Sequence, residues 1–449
     1  MKILKVIHGY PPLYSAGSEV YSQTLCHELV KQGHEVVVFT RQENAYKQEY
    51  SVEWRTDPLC SDIRLCLVNM AHSRDGYQHS AVDEEFNKLL ERYKPDIIHI
   101  GHLNHLSTSI VLEAYKQNIP IVFTLHDFWL MCPRGQFLQS INSKNAELYP
   151  ICHVQKDKKC ARKCYWRYFS SQDDNEDVLY WTKWVNKRMR HIKEEVLPKV
   201  DLFIAPSRYL MERFIDDFPI DLSKFVYLDY GFLRERLTKR KRDQHEPFTF
   251  GYIGTHKQAK GIFHLLQAFS QLNSSEAQLK IWGSPLEPFT SSLKIYLSNI
   301  PSRIQKRIHW KGGYQNDKIV EEVFNHVDAI VVPSIWGENS PLVIHEALEA
   351  KVPVITANFG GMKEYIQHDI NGLLFEHRSP SKLSMQMQRL IEEPELRDRI
   401  AHKGYLQSYD GHIPNIEEHI QQIESYYRLV IERRSTNDAE ETRPMAHHI

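Results

Sequence analysis

Residues 329–356 read AIVVPSIWGENSPLVIHEALEAKVPVIT. Two short apolar runs in this stretch, Ala329–Pro333 and Pro353–Thr356, have the β-branched composition of buried strands. Between them, Pro341–Ala350 has the length and apolar spacing of a helix. Parallel strands need a crossover of this kind to connect them, so the stretch predicts one strand–helix–strand unit of a parallel sheet.

The same alternation occurs in both halves of the chain, on either side of the polar, charged segment Arg234–Pro247, which we interpret as a linker. It predicts an α/β protein with two Rossmann-like, doubly wound domains, 1–233 and 245–410. Ligands bind beyond the carboxyl ends of the strands in such sheets, and we therefore expect the domains to face each other across a cleft. The further strands predicted are Ile3–His8, Glu35–Thr40, Asp96–Ile100, Ile121–Leu125, Leu202–Ala205, Thr249–Ile253, Leu279–Trp282 and Ile308–Trp310; the further helices are Ser18–Lys31, Asp83–Tyr93, Phe263–Leu272 and Lys318–Asn325.

Three segments interrupt or extend this pattern. An insertion of about 131–199 breaks the alternation within the first domain. A helix of about 414–433 has apolar residues at helical spacing, and we expect it to cross back and pack on the first domain. The remaining residues, 435–449, are polar and predict a disordered tail.

Composition narrows the class of protein. The chain has 449 residues, 42% of them hydrophobic, and a formal net charge of -1. There is no basic excess that would make nucleic acid its main partner. We find neither an export signal at the start nor an apolar run near the roughly 18 residues that a membrane span needs. These features predict a cytoplasmic protein and leave peripheral contact with the inner face of a membrane open.

Two carboxylates flank the start of the helix that follows residue 340. Glu338 lies in the loop and Glu346 lies about a turn and a half into the helix; Ser340 is placed to cap it and Pro341 to occupy its first position. A helix N-terminus favours a phosphate, and carboxylates on either side of it can accept hydrogen bonds from sugar hydroxyls. That is the layout of a nucleotide sugar. Without context, two solvated glutamates on a surface helix would be the better explanation of the spacing, because glutamate is common and mostly exposed.

The residues downstream supply that context. After Pro333-Ser334 and the two glutamates come Val352-Pro353-Val354, then Gly360-Gly361, then Asn371-Gly372-Leu373-Leu374-Phe375. In order and spacing this series resembles glycosyltransferase family 4. The resemblance implies a GT-B fold and a retaining transfer of a hexose-type sugar from a nucleotide diphosphate sugar to a glycan or lipid-linked acceptor, in cell-surface polysaccharide synthesis. It also implies that catalysis needs no obligatory cofactor and no metal at the reaction centre.

The resemblance extends over most of the chain and assigns roles residue by residue. Gly17-Ser18-Glu19 is similar to the family's first loop, Gly33-His34-Glu35-Val36 to its second strand, Thr124-Leu125-His126-Asp127 to the segment whose histidine sits beside the donor sugar, and Gly254 through Lys260-Gly261 to the loop that opens the second domain. The implied catalytic residues are His126, Lys260 and Glu338. The implied donor-binding residues are Gly17, Thr255, Lys260, Asn339, Ser340, Pro341, Leu342 and Glu346.

Two departures leave other functions open. Ala16 stands where the family often has a first glycine, and Thr255 stands where it commonly has an arginine. Half of the expected cationic clamp on the diphosphate is therefore missing, and Arg134, Arg208 and Lys257 are candidates to replace it. The alternatives are a non-catalytic nucleotide-sugar-binding scaffold, or another nucleotide-sugar enzyme such as an epimerase or a phosphorylase.

Four of the seven cysteines fall within the insertion: Cys132, Cys152, Cys160 and Cys164. Together they could form a structural zinc or iron–sulfur site, although their spacing is not that of a two-knuckle zinc ribbon. The alternative is four reduced thiols. Cys132 opens a C-P-R-G-Q segment, which resembles a subgroup of family 4 with later cysteines.

The end of the insertion, 165–190, interleaves aromatic and basic side chains. Such a face suits an anionic membrane surface or a lipid-linked acceptor. The alternative is an aromatic stripe that packs on the core, with its cations in solvent.

Overall fold

The computed structural model describes residues 1–72, 76–139, 149–169, 175–242 and 246–441. Its strands are β1 (Lys2–Val6), β2 (Glu35–Gln42), β3 (Val52–Thr56), β4 (Arg64–Asn69), β5 (Ile97–Ile100), β6 (Ile121–Thr124), β7 (Leu202–Ala205), β8 (Phe225–Tyr227), β9 (Thr249–Ile253), β10 (Gln278–Trp282), β11 (Ile308–Gly312), β12 (Ala329–Val332), β13 (Val354–Ala357) and β14 (Leu373–Phe375). Its α-helices are α1 (Gly17–Lys31), α2 (Ser80–Tyr93), α3 (Ile110–Lys116), α4 (Asp157–Cys164), α5 (Asn175–His191), α6 (Arg208–Asp217), α7 (Ile262–Ser270), α8 (Phe289–Ser298), α9 (Ser302–Gln305), α10 (Ile319–Glu322), α11 (Leu342–Glu349), α12 (Met362–Tyr365), α13 (Pro380–Glu392), α14 (Pro394–Lys403) and α15 (Ile416–Glu441).

The chain divides into two compact units. The first comprises Met1–Gly135, Asp173–Tyr230 and the chain from Ile416, and the second comprises Gln136–Gln172 and Gly231–Asn415. Each unit is built around one mostly parallel sheet, as the alternation of strands and helices predicted.

The sheet of the first unit has the order β3-β4-β2-β1-β5-β6-β7-β8, and β3 alone among these strands is antiparallel to its neighbour. Strands of this kind are covered by helices on both faces, and β2 (EVVVFTRQ) is accordingly buried at every position after the first. The strand order reverses between β1 and β5. In doubly wound sheets a ligand site lies at such a reversal, so the loops after β1 and β5 are the functional candidates of this unit.

The sheet of the second unit has the order β11-β10-β9-β12-β13-β14, with every neighbouring pair parallel. Here the order reverses between β9 and β12. The loop that contains Thr255 and Lys260 follows β9, and the loop that contains Glu338 follows β12. The topology therefore brings together two segments that are almost eighty residues apart in sequence.

Three predicted boundaries differ from those of the structure. Residues 136–172 belong to the second unit, although we assigned the whole insertion to the first domain. One contact within the second unit fits this assignment: the Arg378 guanidinium donates to the backbone carbonyl of Tyr149 at 2.5 Å. The terminal helix α15 continues to Glu441, well into the predicted disordered tail, and residues 442–449 lie outside the described part. The segment interpreted as a linker contains a 3₁₀ turn, Arg234–Arg236, that belongs to the second unit.

Helix α15 belongs to the first unit, where it packs on α1. One face buries five side chains at helical spacing: Ile416, Ile420, Ile423, Tyr427 and Val430. Beyond them, Arg434 makes a bidentate ion pair with Asp201, with both N–O distances 3.0 Å, and this pair holds the helix past its last buried turn. No helix in the described ranges is both long and apolar enough to cross a bilayer.

Candidate functional site

The loop between β12 and α11 is the most unusual feature of the second unit, because it is a buried loop. Every residue from 333 to 340 is buried, including Glu338, Asn339 and Ser340. Loops normally run over the surface, where water satisfies their backbone groups. Here protein groups do so: the amide of Ile335 donates to Ala259, and that of Gly361 donates to the Glu338 carbonyl at 2.7 Å. The loop is therefore held in one conformation from both sides.

Three glycines make that close packing possible. A Cβ on Gly261 would lie 1.8 Å from the carbonyl oxygen of Pro333, and one on Gly361 would lie 1.6 Å from that of Asn339. Gly360 has a φ of +62° and would place a Cβ 2.6 Å from Gly337 Cα. The Lys-Gly and Gly-Gly pairs of the sequence are thus close-approach positions that shape the loop.

Glu338 is held through one of its two oxygens. Lys260 Nζ lies 2.7 Å from Oε1, and Ser334 donates its hydroxyl to the same oxygen at 2.5 Å. Among the described residues, Oε2 has no hydrogen-bond partner. The carboxylate is thus fixed in place and neutralised, and it keeps one acceptor oxygen for a ligand hydroxyl.

Glu346 is held in the same way on α11. Arg236 Nη2 donates to Oε1 at 3.0 Å, and the described part of the chain contributes no partner for Oε2. Glu346 is 3% exposed. Burial raises the pKa of Glu346, and the Arg236 guanidinium works against that rise. Each glutamate of the pair therefore has its own cation, Lys260 for Glu338 and Arg236 for Glu346.

The start of α11 differs from the prediction. We expected Ser340 to cap the helix and Pro341 to be its first residue, but the helix begins at Leu342 with Pro341 at the capping position and no side-chain cap. Pro341 has a φ of −69° and a ψ of 113°, which is extended backbone. The helix can begin at the residue after a proline that occupies the capping position. Ser340 then lies one residue before that position, within the buried loop, and does not cap the helix.

Thr255 lies in the loop after β9. Its carbonyl accepts hydrogen bonds from the Tyr252 hydroxyl at 3.1 Å and from the amide of Lys257 at 2.7 Å. The loop is braced from the neighbouring strand, since a Cβ on Gly283 would lie 1.9 Å from the Gly254 carbonyl oxygen. The position is thus well ordered, but it carries no positive charge.

In the first unit, His126 follows β6 at the carboxyl edge of the sheet. Its Nδ1 makes a 2.6 Å hydrogen bond with the hydroxyl of Tyr230, and the two rings stack with centroids 5.6 Å apart. Burial, and then the ammonium of Lys5, lower the pKa of His126 well below its usual value. The imidazole is therefore neutral near pH 7 and can both donate and accept a hydrogen bond.

The other predicted residues of the first unit have structural partners. Asp127 does not orient His126: its Oδ1 lies 3.2 Å from His102 Nε2 and accepts from the amide of Trp129 at 2.7 Å. Gly17 is the first residue of α1, at the reversal point of the sheet, and it is exposed. The following Glu19 is buried, 3.3 Å from His8 Nε2.

The four cysteines of the insertion are divided between the two units. Cys132 belongs to the first unit, and Cys152, Cys160 and Cys164 belong to the second. Among the residues that the structure describes, no group of three or more His, Cys, Asp or Glu side chains is arranged to hold a metal ion, and no disulfide joins the cysteines. Cys152 Sγ lies 2.9 Å from Lys159 Nζ.

The zinc or iron–sulfur site thus stays a prediction with a direct test. Elemental mass spectrometry of anaerobically purified protein would establish it with about one metal, or one cluster, per chain. Less than about 0.2 metal per chain would dismiss it.

The aromatic–basic segment 165–190 is only partly exposed. Trp184 packs edge-on against Tyr77 with centroids 5.2 Å apart. Arg188 is 1% exposed, lies over the ring of Trp129 and donates to its carbonyl at 2.6 Å. Tyr180, by contrast, is 60% exposed. Part of the predicted membrane-facing set therefore packs into the first unit.

Two residues of these sites were missed by sequence reasoning. Arg236 lies in the charged segment interpreted as a linker, and nothing in that composition marks one arginine among several. Tyr230 is an isolated aromatic residue without a motif. Ser334 had a signal, because it is the serine of the Pro-Ser pair, but its role as a donor to Glu338 was not inferred.

Comparison with family models covers both units. A model described as "Glycosyltransferase Family 4" matches residues 15–231, and one described as "Glycosyl transferases group 1" matches residues 234–407. The division between the two matches falls at the boundary between the units, next to Tyr230 and Gly231.

Individual relatives are distant but span the chain. An uncharacterized glycosyltransferase of Methanocaldococcus jannaschii is 22% identical over 420 residues, which are 91% of this chain and 94% of the relative. An Escherichia coli enzyme named UDP-Gal:alpha-D-GlcNAc-diphosphoundecaprenol alpha-1,3-galactosyltransferase is 23% identical over 299 residues, 64% of each chain. Among solved structures, HepE of Anabaena in complex with UDP and glucose superimposes with a TM-score of 0.66 at 16% identity, over 95% of this chain and 99% of that one. The fold is therefore GT-B.

Proposed function

Because this chain is a glycosyltransferase of the GT-B fold that resembles family 4, we propose that it moves a hexose-type sugar from a nucleotide diphosphate sugar to a glycan or lipid-linked acceptor, with retention of the anomeric configuration. The process it would serve is the assembly of cell-surface polysaccharide. Support for the donor class comes from the solved relative that binds UDP and glucose. Support for the acceptor class comes from the galactosyltransferase whose name gives a diphosphoundecaprenol acceptor.

The observation that carries the proposal is the state of the two glutamates. Glu338 and Glu346 each use Oε1 to bind a cation and keep Oε2 for a ligand. Two acceptor oxygens on either side of a helix N-terminus match a donor with hydroxyls at both ends and a diphosphate in the middle. We assign Glu338 to the sugar and Glu346 to the ribose, with Asn339, Ser340, Pro341 and Leu342 between them.

The proposed mechanism rests on charge and position. As the bond between the anomeric carbon and the diphosphate breaks, negative charge grows on the leaving oxygen, and the Lys260 ammonium stabilises it. That oxygen then accepts the proton of the acceptor hydroxyl, which attacks from the same face, so the configuration is retained. His126, neutral near pH 7, would hydrogen-bond the donor sugar and orient it.

The scaffold alternative draws on Thr255 and Ala16, where the family pattern is incomplete. The contacts of Glu338 with Lys260 and Ser334, 2.7 and 2.5 Å long, speak against it. Charged groups held together in this way are typical of active sites, and a protein without turnover would not need them. Against an epimerase or a phosphorylase stands the match of both units to glycosyltransferase family models.

We expect one nucleotide diphosphate sugar from a panel of uridine, guanosine and adenosine donors to stabilise the protein against heat and to be slowly hydrolysed. A donor present at 100 times its Kd adds about 2.7 kcal/mol to the free energy of unfolding. Thermal shift and release of nucleotide diphosphate measure the two effects. The responding donor identifies the base and the sugar together.

Two variants make the result specific. Glu346→Ala should lose the thermal shift, because it removes the acceptor for the ribose. His126→Ala should keep stabilisation by the free nucleotide diphosphate and lose hydrolysis. Stabilisation without hydrolysis in the wild-type protein, even with acceptor extracts, would favour the scaffold, and no response to any donor would contradict nucleotide-sugar binding itself.

Peripheral membrane contact through 165–190 stays a prediction. The exposed Tyr180 leaves room for it, whereas the buried Arg188 removes one of the cations on which it depended.

A further inference from the structure

A partly buried arginine that no family motif assigns contacts the proposed donor site of the second unit. Arg236 ends the 3₁₀ turn Arg234–Arg236, and its Nη1 donates to the carbonyl of Asn316 at 3.3 Å while Nη2 donates to Glu346. Its Nε is buried and finds no hydrogen-bond acceptor among the described residues. The guanidinium of an arginine holds its N–H donors in fixed directions. The Nε–H of Arg236 lies beside a proposed ligand-binding carboxylate and can therefore donate to a bound ligand.

The resemblance to family 4 also implies a second cation on the diphosphate, which this chain lacks at the expected position. Thr255 replaces the arginine that would share the diphosphate with Lys260. Of the candidates raised by the sequence, Arg208 lies over the ring of Tyr227, 4.4 Å from its centroid, and its α-helix belongs to the first unit. Arg134 also belongs to the first unit. Lys257 is nearer to Thr255 in sequence, but the cation that contacts Glu338 is Lys260 and the cation that contacts Glu346 is Arg236. Arg236 has such a contact, and it forms the second of two matched cation–glutamate pairs.

We propose that Arg236 is the second cation of the donor site: it replaces the arginine missing at Thr255, keeps Glu346 ionised for the ribose and offers its remaining donor to the nucleotide diphosphate. The inference rests on the proposed function and names a positioning and binding residue for it. The observation that supports it is the ion pair between Arg236 and Glu346, which is 3.0 Å long and largely buried.

The electrostatic surroundings of Glu346 explain why the pair matters. Burial raises the pKa of Glu346, and the groups that face it are Arg236, His345 on the same helix and Tyr314 after β11. Arg236 is the one permanent cation among these three. Without it, the desolvation of Glu346 would be offset only by His345, and the carboxyl group would take up a proton more readily. A protonated Glu346 is a poorer acceptor for the ribose diol.

The test is the affinity of the full-length protein for UDP, GDP and ADP, measured by calorimetry from pH 5.5 to 8.5 for the wild type and Arg236→Gln. We expect the variant to bind the preferred nucleotide roughly 10- to 100-fold more weakly, since a charge-assisted hydrogen bond is lost. The loss should be larger at low pH, because the pKa of Glu346 rises further in the variant and the carboxylate needed for binding disappears as the pH falls. Arg236→Lys, which keeps the charge, should recover much of the affinity at low pH.

Arg234→Gln is the matched control. Arg234 lies in the same turn as Arg236, and it pairs with Glu349 of α11 at 3.7 Å. The substitution Arg234→Gln therefore removes an equal charge two residues away and leaves the contact of Arg236 with Glu346 in place. It should bind nucleotide as the wild type does, at every pH. If Arg236→Gln does not fold, Arg236→Lys still tests the charge by its pH profile.

The outcomes separate the two levels of the argument. Unchanged affinity in Arg236→Gln, or an equal loss in Arg234→Gln, overturns the role of Arg236 and leaves the proposed function intact. Tighter binding by Arg236→Gln also overturns it, because Arg236 would then compete with the ribose for Glu346. Failure of the wild-type protein to bind any of the three nucleotides overturns the proposed function, and the role of Arg236 with it.

Discussion

Lys260→Ala should lower kcat for sugar transfer, or for donor hydrolysis, by about 10²- to 10³-fold. Lys260 Nζ lies 2.7 Å from Glu338 Oε1 and is about one-third exposed, so the ammonium faces both the carboxylate and the space that a donor would occupy. Its charge does most when the leaving diphosphate carries most charge, which is in the transition state. The effect should therefore be greater on kcat than on the affinity for the free nucleotide diphosphate.

The control for charge alone is Lys363→Ala, on the exposed face of α12, which should leave kcat unchanged. Lys260→Arg keeps the charge and should retain part of the activity. Since Lys260→Ala also leaves the buried Glu338 without its cation, thermal unfolding must show that the variant is folded before kcat is read. A kcat within about threefold of the wild type, in folded Lys260→Ala, would mean that another group stabilises the leaving group.

Gly361→Ala should destabilise the second unit and displace the Glu338 loop. The added Cβ would lie 1.6 Å from the Asn339 carbonyl oxygen and 2.9 Å from that of Glu338, and both are backbone atoms that cannot turn aside. The φ of Gly361 is −66°, which any residue adopts, so the effect is one of space and not of backbone conformation. We expect the free energy of unfolding to fall by about 1 to 3 kcal/mol, together with a loss of donor binding.

Gly313→Ala is the matched control, because a Cβ there meets no atom within 4 Å and the position is exposed. It should change the free energy of unfolding by less than about 0.5 kcal/mol. Denaturant unfolding and a nucleotide titration measure both variants. Equal behaviour of the two would show that the Glu338 loop can yield, and would remove the rigidity on which the site argument depends.

Much of the architecture could be read from local pattern. The apolar runs of β2, β9 and β12 are buried strands, as predicted, and the two parallel sheets follow from the alternation of strands and helices. These predictions succeed because a strand buried on both faces must be apolar along its length, whatever its neighbours are. The GT-B fold was implied by the resemblance to family 4 that the residues around Glu338 carry.

The ends of elements were less predictable. The sequence predicted Ser340 as the cap of α11 and Pro341 as its first residue, whereas the helix begins one residue later, at Leu342. The tail from 435 was read as disordered from its polarity, yet the helix continues to Glu441. In both cases a local preference was overridden by packing: a buried loop on one side, and the Arg434–Asp201 ion pair on the other.

Residue type and spacing along the chain were enough to predict most of the buried strands, several helices, the close-approach glycines and the two glutamates. The strands β3, β4, β8 and β14 were not among the predictions. Which cation pairs with which carboxylate depends on the tertiary structure. Lys260 and Glu338 are 78 residues apart, and Arg236 and Glu346 are 110 apart. The reversal of strand order between β9 and β12 brings the first pair together, and burial makes both pairs matter, since a charge removed from water is stabilised by its nearest partner and not by its neighbours in sequence.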